Sequence, residues 1–279
     1  MPTMLIFGMG YSASRIADRL RAQGWEVAGT SRSGRDGTIA FADDAAVAAA
    51  LVRADAVLVS IPPDAAGDPV LRRYGDTVRA TNWIGYLSST GVYGDTGGAW
   101  VDESAPVGGR RSARNDADQA WLALGARVFR LPGIYGPGRS ALDRVAEGKA
   151  HRIDLPGQVF SRVHVDDIAS GVIAGLDGPP GAYNIADDAP CGQNAVIEFA
   201  AQLLGLAPPP LQTMDQAGLS PMARSFYAEN RRVANGKAKR VLGWQPAYPD
   251  YRAGLRALSA ITRPSIASAD PATASPDQR

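Results

Sequence analysis

Apolar positions along this chain follow two rhythms. Short runs rich in apolar residues, Met4–Phe7, Ala56–Ser60, Trp83–Leu87 and Arg127–Leu131, read as buried strands. Elsewhere apolar residues recur at every third or fourth place, which predicts amphipathic helices. The first helix is the clearest: Ala13, Ile16, Ala17 and Leu20 share one face, and Arg15, Asp18, Arg19 and Arg21 occupy the other. A second strand is expected at Glu26–Thr30, a short one at Thr38–Phe41 and an alanine-rich helix at Ala45–Leu51. A helix over Asn115–Leu124 turns Ala117, Trp121 and Leu124 inward.

Beyond Pro132-Gly133 the pattern loosens. A helix near Ala141–Glu147 and a glycine-rich run around Gly157 form an excursion, and Arg162–Val165 returns as a strand. In that strand His164 alternates with Val163 and Val165 and is expected to point away from the packed face. Asp166 is the expected N-cap of a helix carrying Ile168, Val172, Ile173 and Leu176. A strand at Ala182–Ile185 and a helix at Val196–Leu204 follow. Pro208-Pro209-Pro210 opens an irregular region before helices at Lys237–Leu242 and Tyr251–Ile261. The run from Arg263, rich in Pro, Ala, Ser and Asp, has no period and is expected to be a flexible tail.

Alternating strands and helices predict a parallel sheet with crossover helices. The first crossover carries chemistry. Met4–Phe7 runs directly into Gly8-Met9-Gly10-Tyr11-Ser12-Ala13, and the first helix follows. In that strand–turn–helix context a G-x-G-x-x-A sequence suits a dinucleotide: Gly8 permits the tight turn, Gly10 lets the backbone approach a pyrophosphate, and Ala13 allows close helix packing. The helix N-terminus then faces the anion. The second strand ends in Ser31-Arg32-Ser33, where an NAD-binding unit places Asp or Glu on the ribose hydroxyl. Hydroxyls and a guanidinium suit a 2′-phosphate, so NADP is expected in preference to NAD. The plainer alternatives are a glycine turn that binds nothing and an ordinary surface arginine. Ile61 and Pro62, at the end of the third long strand, are further candidates for cofactor contact.

The expected architecture is therefore an α/β, Rossmann-type doubly wound parallel sheet with a smaller, mostly C-terminal substrate-binding lobe. The sheet domain comprises 1–138 and 161–188, the lobe 139–160 and 189–262, and the tail 263–279. Composition fits: 279 residues with 45% hydrophobic and 20% charged support a substantial core. A net charge of +1 gives no reason to expect nucleic acid as a partner. The single cysteine, Cys191, excludes an internal disulfide and fits a reducing compartment. No apolar stretch approaches the roughly 18 residues of a membrane span, and no secretory signal is visible. A cytoplasmic protein with a small-molecule substrate is expected. No Cys/His cluster has ligand spacing, so no metal is expected.

Several blocks in order resemble the short-chain dehydrogenase/reductase superfamily, in its extended NAD(P)-dependent epimerase/dehydratase branch. Besides the glycine turn they are Leu87-Ser-Ser-Thr-Gly-Val-Tyr-Gly94 with Glu103 and Pro106, Arg130-Leu-Pro-Gly-Ile-Tyr-Gly-Pro-Gly138, Val163-His-Val-Asp-Asp-Ile-Ala169, Tyr183-Asn-Ile185 and Leu242-Gly-Trp-Gln-Pro246. The resemblance implies that Ser89, with Thr90 beside it, hydrogen-bonds the substrate oxygen, and that Pro132, Gly133 and Ile134 pass beside the nicotinamide. It also allows a homodimer. The family's acid/base is the tyrosine of a Tyr-x-x-x-Lys motif opening the helix that contains Trp121. Here those places hold Arg110 and Arg114. Arginine keeps the lysine charge but shuttles no proton near neutral pH. Either Asp118 neutralises Arg114 on a solvated face, or the pair awaits a phosphate or carboxylate.

Tyr93 is a candidate substitute acid or a packing residue of its loop. Tyr135 and Arg139 follow a sheet strand, where carboxyl ends form the ligand crevice, and are candidate substrate contacts. Arg162 offers an anion contact or a surface charge. His164 offers a general acid or a hydrogen-bonded structural histidine. Asp166 and Asp167 complement a helix dipole. Two functions compete: an NADP(H)-dependent oxidoreductase or epimerase/dehydratase-like enzyme acting on a small carbonyl or sugar-like substrate, and a non-catalytic NAD(P)(H)-binding sensor or scaffold.

Overall fold

Seven parallel strands form the central sheet of the computed structural model, which describes residues 1–261. They are β1 (Thr3–Phe7), β2 (Glu26–Ser31), β3 (Ile39–Ala40), β4 (Ala56–Val59), β5 (Trp83–Ser89), β7 (Arg127–Leu131) and β11 (Gly181–Asn184), in the spatial order β11-β7-β5-β4-β1-β2-β3. The chain leaves β1 for β2 and β3 on one side, then reverses to β4 on the other, so the strand order switches direction at β1/β4. Ligands of open α/β sheets bind outside the carboxyl ends at such a switch. Three short parallel pairs lie off the sheet: β6 (Trp100–Val101) with β13 (Arg232–Val233), β8 (Gly133–Tyr135) with β10 (Arg162–His164), and β9 (Arg152–Ile153) with β12 (Leu211–Gln212).

Helices cover both faces. On one, α1 (Tyr11–Ala22) buries Ala13, Ile16, Ala17 and Leu20 against Ile168, Ala169 and Val172 of α6 (Val165–Ala174) and the strands beneath. On the other lie α2 (Asp44–Arg53), α3 (Pro69–Arg79) and α4 (Ser112–Ala123), which bury Val47, Leu51, Val70, Tyr74, Val78 and Trp121. A third core joins α5 (Ala141–Ala146), α7 (Gln193–Leu204) and α10 (Tyr251–Ile261). Two short helices, α8 (Pro221–Phe226) and α9 (Gly236–Leu242), complete the described chain. Each fully buried large apolar side chain contributes about 1.5–3 kcal/mol. The tail expected at 263–279 lies outside the described residues.

Helix α3 and helix α8 are absent from the sequence expectation. Pro62, Pro63, Gly67 and Gly75 punctuate the first region and hide its period of Val70, Tyr74 and Val78. The start signal was nonetheless present: Asp68 accepts from the amides of Val70 and Leu71, and Pro69 opens the first turn. Helix α8 follows the same grammar, with Ser220 capping and Pro221 first.

Two expected capping and charge assignments are corrected. Asp166 is not the N-cap of α6. His164 is, its Nδ1 accepting from the Asp166 amide at 3.2 Å, while the Asp166 carboxylate pairs with Arg15 of α1. Asp118 does not neutralise Arg114 on a solvated face. It shares the inward face of α4 with Ala117 and Trp121, is 0% exposed, and takes a two-pronged hydrogen bond from Arg130 of β7 at 3.1 and 2.7 Å. Ser88 donates to the same carboxylate at 2.6 Å, and Arg130 Nη1 donates to the Tyr93 hydroxyl at 3.0 Å. Removing one partner of such a pair strands a buried charge, so Asp118→Ala is expected to lower stability by about 3–5 kcal/mol in urea or thermal unfolding. A loss below about 1 kcal/mol would refute the role assigned to the pair.

Candidate active site

The turn after β1 is built to meet an anion. Gly8 has φ +89, and a Cβ there would lie 2.7 Å from Ile61, so the turn rests against the segment after β4. Gly10 has open space at the same position, and the N-terminus of α1 has no side-chain cap, leaving the Tyr11, Ser12 and Ala13 amides for a ligand. Met9 instead packs its side chain on Gly29. These features fit a dinucleotide pyrophosphate. Farther along, the Ser31 hydroxyl accepts from Gly34 N and Thr38 Oγ1, so it shapes its own loop, while Arg32 and Ser33 are exposed beside it. Pro62 is exposed. Tyr11 spans the crevice mouth: its hydroxyl donates to Pro137 O at 3.0 Å, and the Arg139 guanidinium lies 5.8 Å from its ring centre.

A cleft of about 630 Å³ opens where β5 and β7 end. Ser89 and Leu131 are paired in register, so the Ser89–Gly91 and Pro132–Ile134 segments leave the sheet side by side and both line it. Ser89 Oγ accepts from Gly91 N at 3.1 Å, and among the described residues its proton goes to no partner. It is thus free to donate to a substrate oxygen. Phe160 meets the Tyr227 ring edge-on at 5.5 Å and gives the cleft an aromatic patch, with the Arg162 guanidinium 5.9 Å from the Phe160 ring centre.

Charge sets this cleft apart. Seven arginines line it against one carboxylate, Glu229, in a chain whose net charge is only +1. Arg110 and Arg231 share that carboxylate at 2.7 and 2.6 Å. Burial opposes the ionisation of Glu229, but both guanidinium groups outweigh it and hold the carboxyl below its ordinary range. The other five, Arg111, Arg114, Arg139, Arg144 and Arg162, hydrogen-bond or ion-pair with no carboxylate among the described residues. Arg114 donates to the Tyr86 hydroxyl at 2.8 Å, and that ring stacks on Trp121, whose indole donates to Asp68. Arg162 is buried and donates to Phe160 O, Cys191 O and Gln193 Oε1.

Of the sequence candidates, Ser89, Thr90, Pro132, Gly133, Ile134, Arg139 and Arg162 come together here. Three others lie away from this cleft. Tyr93 is buried behind the strand ends, its hydroxyl donating to Asn184 and accepting from Arg130; burial pushes its pKa up against the opposing Arg130 charge, which removes it as an acid. His164 is 2% exposed rather than outward-facing, because Tyr135 and Tyr248 cover its ring. Burial depresses its pKa to about 4, so it is a neutral cap. Tyr135 is buried beside it and lines a neighbouring cavity instead. Arg110 sits at the family tyrosine position but is turned to Glu229 and Ser225 O. Sequence reasoning missed Arg111, Arg144, Gln193, Tyr227 and Arg231, which come from separate stretches with no shared motif. Among the described residues no group of His, Cys, Asp and Glu could hold a metal ion, and no helix is long and apolar enough to cross a membrane.

No family model matches the chain. Escherichia coli protein YeeZ is 27% identical over 90% of this chain and 97% of its own. A conserved protein of unknown function from Silicibacter pomeroyi is 44% identical, covering 94% of this chain and 99% of that one, with a TM-score of 0.87. A candidate NAD-dependent epimerase/dehydratase from Methylobacillus flagellatus is 26% identical over 94% and 99%, with a TM-score of 0.72. The human epimerase family protein SDR39U1, solved with NADPH, is 18% identical over 92% and 99%, with a TM-score of 0.73.

Behind the cleft, Asp187 is buried with Oδ2 unpartnered among the described residues, and burial raises its pKa to about 7 against the nearby Arg162 charge. Its folded value lies above the unfolded carboxylate value, so folding stability falls as pH rises toward 7. Asp187→Asn is therefore expected to raise the melting temperature more at pH 8 than at pH 5. An equal or reversed effect would count against the buried ionisation.

Proposed function

Since the chain belongs to the short-chain dehydrogenase/reductase superfamily, in its extended and atypical epimerase/dehydratase branch, we propose that it is an NADP(H)-dependent oxidoreductase or epimerase/dehydratase-like enzyme acting on a small carbonyl or sugar-like substrate. One observation carries this reading. The Ser89 hydroxyl, with an uncommitted proton, stands on the same cleft wall as the Pro132–Ile134 segment, at the carboxyl edge of a sheet whose first turn is shaped for a pyrophosphate. A bound nicotinamide supplies or accepts hydride. Ser89 orients and polarises the reacting oxygen. With Tyr93 and His164 buried in structural bonds, Thr90 and water remain of the proton routes offered by the sequence.

Preference for the phosphorylated cofactor rests on Arg32 and on the absence of an acidic residue at the end of β2. NADPH in the human neighbour indicates that this fold accommodates it. A second reading, a non-catalytic NAD(P)(H)-binding sensor or scaffold, draws on Arg110 and Arg114 standing at the family's Tyr and Lys places.

Thermal shift with NADP, NADPH, NAD and NADH tests the cofactor: the phosphorylated pair should stabilise more, and Arg32→Ala should erase the difference. An equal or larger NAD shift reverses the preference. For chemistry, Ser89→Ala should lower kcat about 10²–10³-fold on any carbonyl substrate that oxidises NADPH, with NADPH affinity unchanged. Loss of turnover in that variant rules out the sensor; absence of NADPH oxidation across a broad carbonyl panel favours it.

A further inference from the structure

Four of the five unneutralised arginines fall into two groups by the elements that carry them. Arg111 and Arg114 stand at the start of α4, on the side of Ser89–Gly91, and face only this cleft. Arg144 of α5 and Arg162 of β10 line both this cleft and the adjoining cavity. Burial raises the Tyr227 pKa while both charges act to lower it, so both lie within electrostatic reach of that hydroxyl, which lines the same cleft. Gln193 joins them through its bond to Arg162.

The cofactor's own anions do not account for these charges. Residues of the pyrophosphate turn and of the Ser31–Ser33 segment do not line the cleft, and Arg139, over the Tyr11 ring, is the arginine that adjoins them. Internal acids do not account for them either. Glu229 serves Arg110 and Arg231, and Asp187, whose ionisation the Arg162 charge favours against burial, forms no ion pair with it among the described residues. Like charges gathered in a partly desolvated cleft repel, and they persist where a ligand supplies the opposite sign.

We propose that the substrate is an organic dianion with two separated acid groups, carboxylate or phosphate, flanking the carbon that exchanges hydride. One acid group pairs with Arg111 and Arg114, and the other with Arg144 and Arg162 beside Tyr227. The Phe160–Tyr227 patch packs on the carbon skeleton between them. This rests on the enzyme reading above and narrows its substrate class: a neutral aldehyde, ketone or free sugar leaves both groups unmatched.

Calorimetry on the full chain, saturated with NADP so that cofactor sites are filled and no reduction occurs, tests the assignment at fixed ionic strength. The probes are α,ω-dicarboxylates from oxalate to suberate, 2-oxoglutarate and 3-phosphoglycerate, with acetate and pyruvate as single-acid controls. At least one dianion should bind about tenfold or more tightly than either control, since each charge-assisted contact is worth that much. Arg111→Gln and Arg144→Gln remove exposed side chains and leave the fold intact. Each should abolish the advantage, whereas Arg53→Gln on the far surface should not. If no dianion exceeds the controls, or if both cleft variants keep the advantage, the proposal is overturned. NADPH fluorescence titration of the same protein before NADP is added separates the two readings. Cofactor binding without dianion binding defeats only this inference, and loss of cofactor binding defeats the enzyme reading.

Discussion

The buried pairing of Arg130 with Asp118 holds the working edge of this protein together. A guanidinium 2% exposed and a carboxylate 0% exposed are tolerable only when nearly every polar atom is satisfied, and here they are. Asp118 receives Arg130 and Ser88; Arg130 also reaches Tyr93; Tyr93 continues to Asn184, whose amide meets Glu103. One network thus ties α4, the ends of β5 and β7, the turn after β5 and β11. Ser89 is the residue after Ser88, so the position of the catalytic candidate is inherited from this buried ion pair.

That network also explains which motif residues have structural work. Tyr93, Glu103, Arg130 and Asn184 belong to blocks that carry the family resemblance, yet they lie behind the cleft and not in it. Sequence alone shows them as a string of suggestive polar residues. Only the fold reveals that they satisfy one another, with burial raising the Tyr93 pKa and leaving no free hydroxyl for acid chemistry.

What the sequence made legible was local. The glycine turn, the alternation of strands with helices and the inward faces of α1 and α4 follow from spacing within a dozen residues, and the resulting sheet matches them. His164 failed because strict alternation assumes one open face, and Tyr135 and Tyr248 close the other side of its short strand. Asp118 failed because an i, i+4 neighbour on its own helix looked nearer than Arg130, twelve residues away on a strand. The basic character of the cleft was illegible for a related reason. Its arginines are scattered over more than a hundred residues of sequence, and their acids elsewhere balance the total.

A lone Glu229 among so many guanidinium groups has a bearing on the economy of the whole fold. Most of these side chains are exposed, so water and salt soften their mutual repulsion and it costs the fold little; what remains is a field of one sign that draws anions toward the cleft.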